Sequence, residues 1–125
     1  MKGKKIIVWL LAVCLVLAVA AYFLLPVKLD GDVTSATVLM KGESTALDHE
    51  QNMTLGAILE DARATRCFAP GVLDEAVCEV NILTPDGALH IHFGDKSYAY
   101  TSADDAIWYR ISDADAVLAA VESLL

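Results

Sequence analysis

The sequence predicts an α+β fold in which one N-terminal transmembrane helix is followed by a small antiparallel sheet domain with two packed helices. Three observations predict it. Residues 6–25 are an unbroken run of twenty apolar residues, long enough as a helix to cross a hydrocarbon core of about 30 Å. Beyond them, short segments rich in Val, Ile, Tyr and Thr alternate with turn residues, the pattern of strands. Two stretches, one around Leu55, Ile58, Leu59 and Ala62 and one around Val117, Leu118, Val121 and Leu125, carry apolar residues at helical spacing instead.

Thirteen of the twenty residues in the apolar run are Leu, Ile, Val or Phe, which favours insertion by roughly 5 kcal/mol with no charge opposing it. Trp9 and Tyr22 stand near its two ends, where amphipathic rings prefer the headgroup level, and Pro26 and Lys28 close it. Lys2, Lys4 and Lys5 precede the run, so residues 1–5 are expected in the cytoplasm, 6–25 in the membrane and 29–125 outside it. Ala18-Val19-Ala20 has the form of a signal-peptide cleavage site, but the chain continues apolar to Leu25, longer than a signal core. Leu11-Ala12-Val13-Cys14 resembles a lipid-attachment motif. Val13 is larger than such motifs want, eleven apolar residues follow Cys14, and the thiol reads more simply as a small apolar helix residue.

The outer portion is strongly acidic. From Leu29 onward there are 5 basic and 17 acidic residues, a formal charge of −12. Nucleic acid is excluded as a partner, because phosphate binding needs clustered Lys and Arg, and an anionic lipid surface is disfavoured for the same reason. Such charge keeps a small domain soluble or suits a cationic partner.

Within the domain, 33–40 reads as a first strand, Lys41-Gly42-Glu43-Ser44 as a turn and 45–47 as a short return strand. A helix follows, with Asn52 or Thr54 as its cap, fading near Thr65. Residues 67–76, with Pro70-Gly71, read as a loop. Residues 77–83 form the next strand. Thr84-Pro85-Asp86-Gly87 has the residue order of a type I turn, with φ fixed by Pro85 and Gly87 free to take positive φ. Strands over 89–93, 97–102 and 107–112 complete a four-stranded meander. A last helix starts near Asp113, where Ser112 and Asp115 have capping-box spacing.

Four groups of residues invite chemistry. Cys67 and Cys78 lie outside the membrane around a Pro-Gly loop, and a disulfide between them would close about 12 residues, worth roughly 3 kcal/mol in the chain-entropy model. His90 and His92 share one face of a strand, opposite Leu89, Ile91 and Phe93, so two imidazoles project together. Zinc or copper would need further ligands, with Glu79, Asn81, His49, Asp104 and Asp105 as candidates. Two signals set the strand register differently. The turn with a one-residue bulge puts His90 opposite Ile82 and His92 opposite Val80. The hydrophobic pattern pairs Leu89 with Ile82 and Ile91 with Val80, which sets His90 against Asn81 and His92 against Glu79.

The third group is aromatic: Tyr98 and Tyr100 share a face, while Trp108 and Tyr109 point oppositely, so one set lies under the helices and Tyr98, Tyr100 and Trp108 are interaction candidates. The last is acidic. Asp30-Gly31-Asp32 and Asp113-Ala114-Asp115 do not continue into a calcium loop, and the second suits a helix N-terminus. No nucleophile elbow, zincin motif or phosphate-cradling loop occurs in the sequence, so neither an enzyme nor a cofactor is expected. The function expected is that of a single-pass, non-enzymatic, extracytoplasmic module of the bacterial envelope. It would interact with or regulate another envelope protein, and the alternative is a metal-binding domain using His90 and His92.

Overall fold

The computed structural model describes residues 2–101 and 106–125. Helix α1 (Lys2–Leu24) contains, among the described residues, the one segment long and apolar enough to cross a membrane, Gly3–Leu24. Positions 3 to 19 are all exposed, so among the described residues none packs over that stretch. An apolar helix without protein cover, its backbone bonds all satisfied internally, suits lipid as solvent.

The chain leaves α1 directly into β1 (Pro26–Val27). There follow β2 (Ser35–Met40), β3 (Glu43–Ala46), α2 (His49–Asp61), β4 (Ala64–Cys67), β5 (Cys78–Thr84), β6 (Gly87–Phe93), β7 (Tyr98–Thr101), β8 (Trp108–Ile111) and α3 (Ala114–Glu122). The strands make one sheet in the order β1-β4-β8-β7-β6-β5-β2-β3, antiparallel at every pairing. The α+β class with an apolar N-terminal helix is thus as the sequence predicts. The meander over 77–112 forms the middle of the sheet as β5 to β8. Ser102, expected to end its third strand, lies outside the described residues, as do Asp104 and Asp105.

Strand alternation sorts the two faces. One rung joins Val38, Val80, Ile91 and Ala99, and the next joins Ala36, Ile82 and Leu89. Both rungs are buried in one cluster with Leu55 and Leu59 of α2 and Val117 and Val121 of α3. Both helices therefore cover the same face, and each such aliphatic side chain contributes about 1.5–3 kcal/mol by leaving water. The two faces part cleanly because the side-chain period is two.

Several local expectations are corrected. Helix α2 starts earlier than its apolar residues suggest, because Asp48 and Gln51 form a reciprocal capping box. Asn52 is buried instead, and its Oδ1 has no partner among the described residues. The segment after α2 is a strand, β4, and no continuation of the helix: Ala62 turns the backbone to an extended conformation, and 64–67 pair with β8. At α3 the Ser112 and Asp115 box does not form. The Asp113 carboxylate accepts from the Arg63 amide at 2.8 Å and the Ser112 hydroxyl donates to the Arg63 carbonyl at 3.1 Å, so these side chains lock the α2–β4 corner to the β8–α3 corner. Leu124 packs on the core and Leu125 is exposed, one position off the expected stripe. The first hairpin turns on Lys41 and Gly42 alone, both at positive φ, the mark of a type I′ turn.

Gly56 fixes how closely α2 approaches the segment between β1 and β2, because a Cβ on it would meet the Gly31 carbonyl oxygen. Replacing Gly by Ala in a helix interior ordinarily stabilises by up to about 1 kcal/mol. Here overpacking of about 1–3 kcal/mol opposes that gain, so Gly56→Ala is expected to lower the denaturation midpoint of the domain in detergent. A raised midpoint would contradict the contact.

Candidate functional site

The face of the sheet that the helices leave uncovered carries most of the residues singled out from the sequence. Register places Cys67, Trp108, Tyr100, His90, Asn81 and Thr37 in one rung across it, and Thr65, Arg110, Tyr98, His92, Glu79 and Leu39 in the next. The pairing of β5 with β6 is the one the hydrophobic pattern prefers: Glu79 stands opposite His92 and Asn81 opposite His90. No bulge intervenes, since Thr84 pairs with Gly87 across Pro85-Asp86. Gly87 absorbs the tight connection at φ 139, a value Gly alone accepts readily, and the Thr84 hydroxyl donates to its carbonyl at 2.9 Å.

Three rings line up along the first rung. Trp108 and Tyr100 are stacked at 4.3 Å between centroids and 19° between planes, and His90 follows at 5.2 Å and 31° from Tyr100. Tyr98 meets Trp108 edge-on at 6.1 Å. All four are half-buried, each against a neighbouring ring. Tyr109 points through the sheet and packs on the core, so the alternation divides the aromatics as expected.

His92 behaves differently from His90, at 3% exposure. The segment 68–77 leaves β4 at one end of the sheet and enters β5 at the other, and on the way Asp74 comes down onto His92. The His92 Nε2 donates to Asp74 Oδ1 at 3.0 Å; the nitrogen must carry the proton, because an ionised carboxylate only accepts. The other Asp74 oxygen accepts from the Asp95 amide. Glu79 Oε1 lies 4.0 Å from His92 Nδ1, beyond hydrogen-bond range. The His90 Nδ1 is engaged by Asn81 Oδ1 at 2.6 Å. The Asp95 amide, helped by the His92 imidazole, holds the Asp74 carboxyl below the usual carboxylate range.

These bonds bear on the metal expectation. His90 and His92 do share a face, but Asn81 and Asp74 already occupy a nitrogen of each. Among the described residues no three His, Cys, Asp or Glu side chains are grouped to hold a metal ion. His49 begins α2, on the opposite side of the sheet, and Asp104 and Asp105 lie outside the described residues.

The expected disulfide is corrected outright. Cys67 and Cys78 are free. Strands β8, β7 and β6 stand between the strands that carry them, which separates them by about 19 Å at the usual strand spacing. They also point to opposite faces, since Cys67 shares a rung with Trp108, while Cys78 shares one with Phe93 in the core. A disulfide needs Cα atoms within about 7 Å. Burial pushes the Cys78 thiol up to about 11, and burial also raises that of Cys67, against a lowering by Arg110.

A cavity of about 240 Å³ opens elsewhere, between Lys28, Leu29 and Asp30 on one side and Thr84, Asp86 and Leu89 on the other. Comparison with known proteins finds no matching family model, no similar curated protein and no similar solved structure.

The Asp74 contact titrates with a definite sign. A carboxyl whose folded pKa is depressed stabilises the fold above its unfolded value, and that contribution disappears as pH falls through the folded one. The Asp95 amide resonance is therefore expected to shift on acidification with a midpoint below the ordinary Asp value of about 3.9, and Asp74→Asn should remove the transition. A midpoint at the ordinary value in the wild-type chain would show that the carboxylate does not hold this segment down.

Proposed function

We propose that this chain is a single-pass, non-enzymatic module of the bacterial envelope. Residues 6–25 hold it in the membrane with the N-terminus in the cytoplasm. The acidic domain outside contacts another envelope protein through the uncovered face of its sheet. One observation carries the reading: the row of Trp108, Tyr100 and His90, with Tyr98 beside it, lies on the face that neither helix covers. Aromatic side chains are enriched at the centres of protein interfaces because they bury a large area at little cost in rotamer freedom. A face stocked with half-buried aromatic rings that neither helix covers has the composition of a contact surface. The orientation rests on Lys2, Lys4 and Lys5 before the span, with no acidic residue ahead of Asp30.

Two measurements test the proposal. Protease added to spheroplasts should remove the domain and spare a tag on the N-terminus; loss of the tag would reverse the orientation. A photo-crosslinking amino acid at Tyr100 should trap an envelope protein in intact cells, whereas the same probe at Ala57, exposed on α2, should not. Equal adducts at both positions, or none at Tyr100, would refute the sheet as the contact.

A further inference from the structure

Uncharged and apolar residues are exposed where the domain meets α1. Phe68 is 80% exposed and Val72 90%, and the stretch Phe68-Ala69-Pro70-Gly71-Val72-Leu73 carries no charge. Its position relative to the anchor is set by the fold. Strand β1 leads away from α1, and β4 runs back antiparallel to it, with Thr65 opposite Pro26. The chain thus returns toward the apolar run as it reaches Cys67 and Phe68. The Phe68 ring lies 4.8 Å from that of Phe23, which belongs to the apolar run itself. Tyr22 meets Phe23 edge-on at 5.1 Å and 85°, and the Arg66 guanidinium sits 4.6 Å over the Tyr22 ring.

We infer that Phe68 and the uncharged stretch after it enter the outer leaflet beside α1, a second point of membrane contact that sets how the domain stands on the bilayer. The inference rests on residues 6–25 spanning the membrane. A phenylalanine held against a ring of the transmembrane helix occupies that ring's depth, which for Phe23 is the outer boundary of the span. Tyr22 and Arg66 complete the arrangement found at membrane boundaries, an aromatic ring at headgroup level with a cation stacked on it and directed to the phosphates. The acidic residues Asp74 and Glu75 begin only where the chain has turned up toward His92. The attraction is therefore apolar partition and does not require anionic lipid, consistent with a domain of charge −12 from Leu29 onward.

The test uses the full chain in phosphatidylcholine nanodiscs. Phe68→Trp in a Trp9→Phe background is compared with Trp9→Phe alone, so that the emission of Trp108 is common to both. The substitution sits on an exposed side chain and leaves the core untouched. The added emission is expected to be blue-shifted, to lose about half its intensity or more to lipid brominated near the top of the acyl chains, and to resist aqueous acrylamide. Emission that is red-shifted and acrylamide-quenched overturns the inference, and so does emission shielded from both quenchers, which would mean burial against protein. Trp9 in the otherwise unaltered chain separates the two readings: bromolipid quenching there with none at position 68 refutes only the second contact. Failure at both positions overturns the anchor and this inference with it.

Discussion

The pairing of β5 with β6 decides what every other residue of the domain can do. With Val80 opposite Ile91 and Ile82 opposite Leu89, all four side chains lie on the helix-covered side. A slip of β6 by one residue would turn Leu89, Ile91 and Phe93 to water, at roughly 5–9 kcal/mol for three large apolar chains. Against that stands the strain of a tight connection at Pro85-Asp86, which falls on a glycine and costs little. Burial of the three apolar chains wins, and its consequence on the other face is that His90, His92, Asn81 and Glu79 come together there, with Tyr98, Tyr100 and Trp108 joined to them through β7 and β8.

The anchor and the sheet form one continuous piece. No stalk separates them: α1 passes through Leu25 into β1, and β1 closes the edge of the sheet against β4. Through Arg66 and Phe68 the same edge reaches back to Tyr22 and Phe23 on the helix. In the proposed arrangement, with residues 6–25 in the membrane, this continuity keeps the aromatic face close to the bilayer, which suits contact with a neighbour that is itself in or near the membrane. The segment 68–77 runs from that edge to Asp74 and ties the two ends of the sheet together through His92.

Much of this was legible in the sequence where the signal was local. Twenty consecutive apolar residues deliver α1 as one long apolar helix, and the alternation in 77–93 delivers β5, β6 and the face on which both histidines lie. The stripe with Val117 and Val121 delivers α3, with its start within a residue of Asp113. What was lost depended on partners distant in sequence. Residues 63–67 are too few and too mixed to announce a strand, and become β4 only because β8 and β1 pair with them. Asp48 and Gln51 did spell a capping box, with Asp and Gln in the places of Ser and Glu, but the apolar spacing begins only at Leu55 and so points to a later start. The Cys67–Cys78 bridge failed for the same reason as β4: loop-closure entropy says how short a loop is, not which strands the topology inserts between its ends. Asp74 as the partner of His92 left no trace in the sequence, since nothing local marks a loop residue for a face it crosses.

The register of β5 and β6 is the claim on which the aromatic face, the histidine environment and the buried core all stand. Nuclear Overhauser spectroscopy of the full chain in detergent micelles reads it directly, through contacts between protons of residues that face each other across the two strands. The account predicts cross-strand contacts joining Val80 to Ile91 and Glu79 to His92. Contacts joining Val80 to His92 and Ile82 to His90 would place the histidines on the helix-covered side and contradict it.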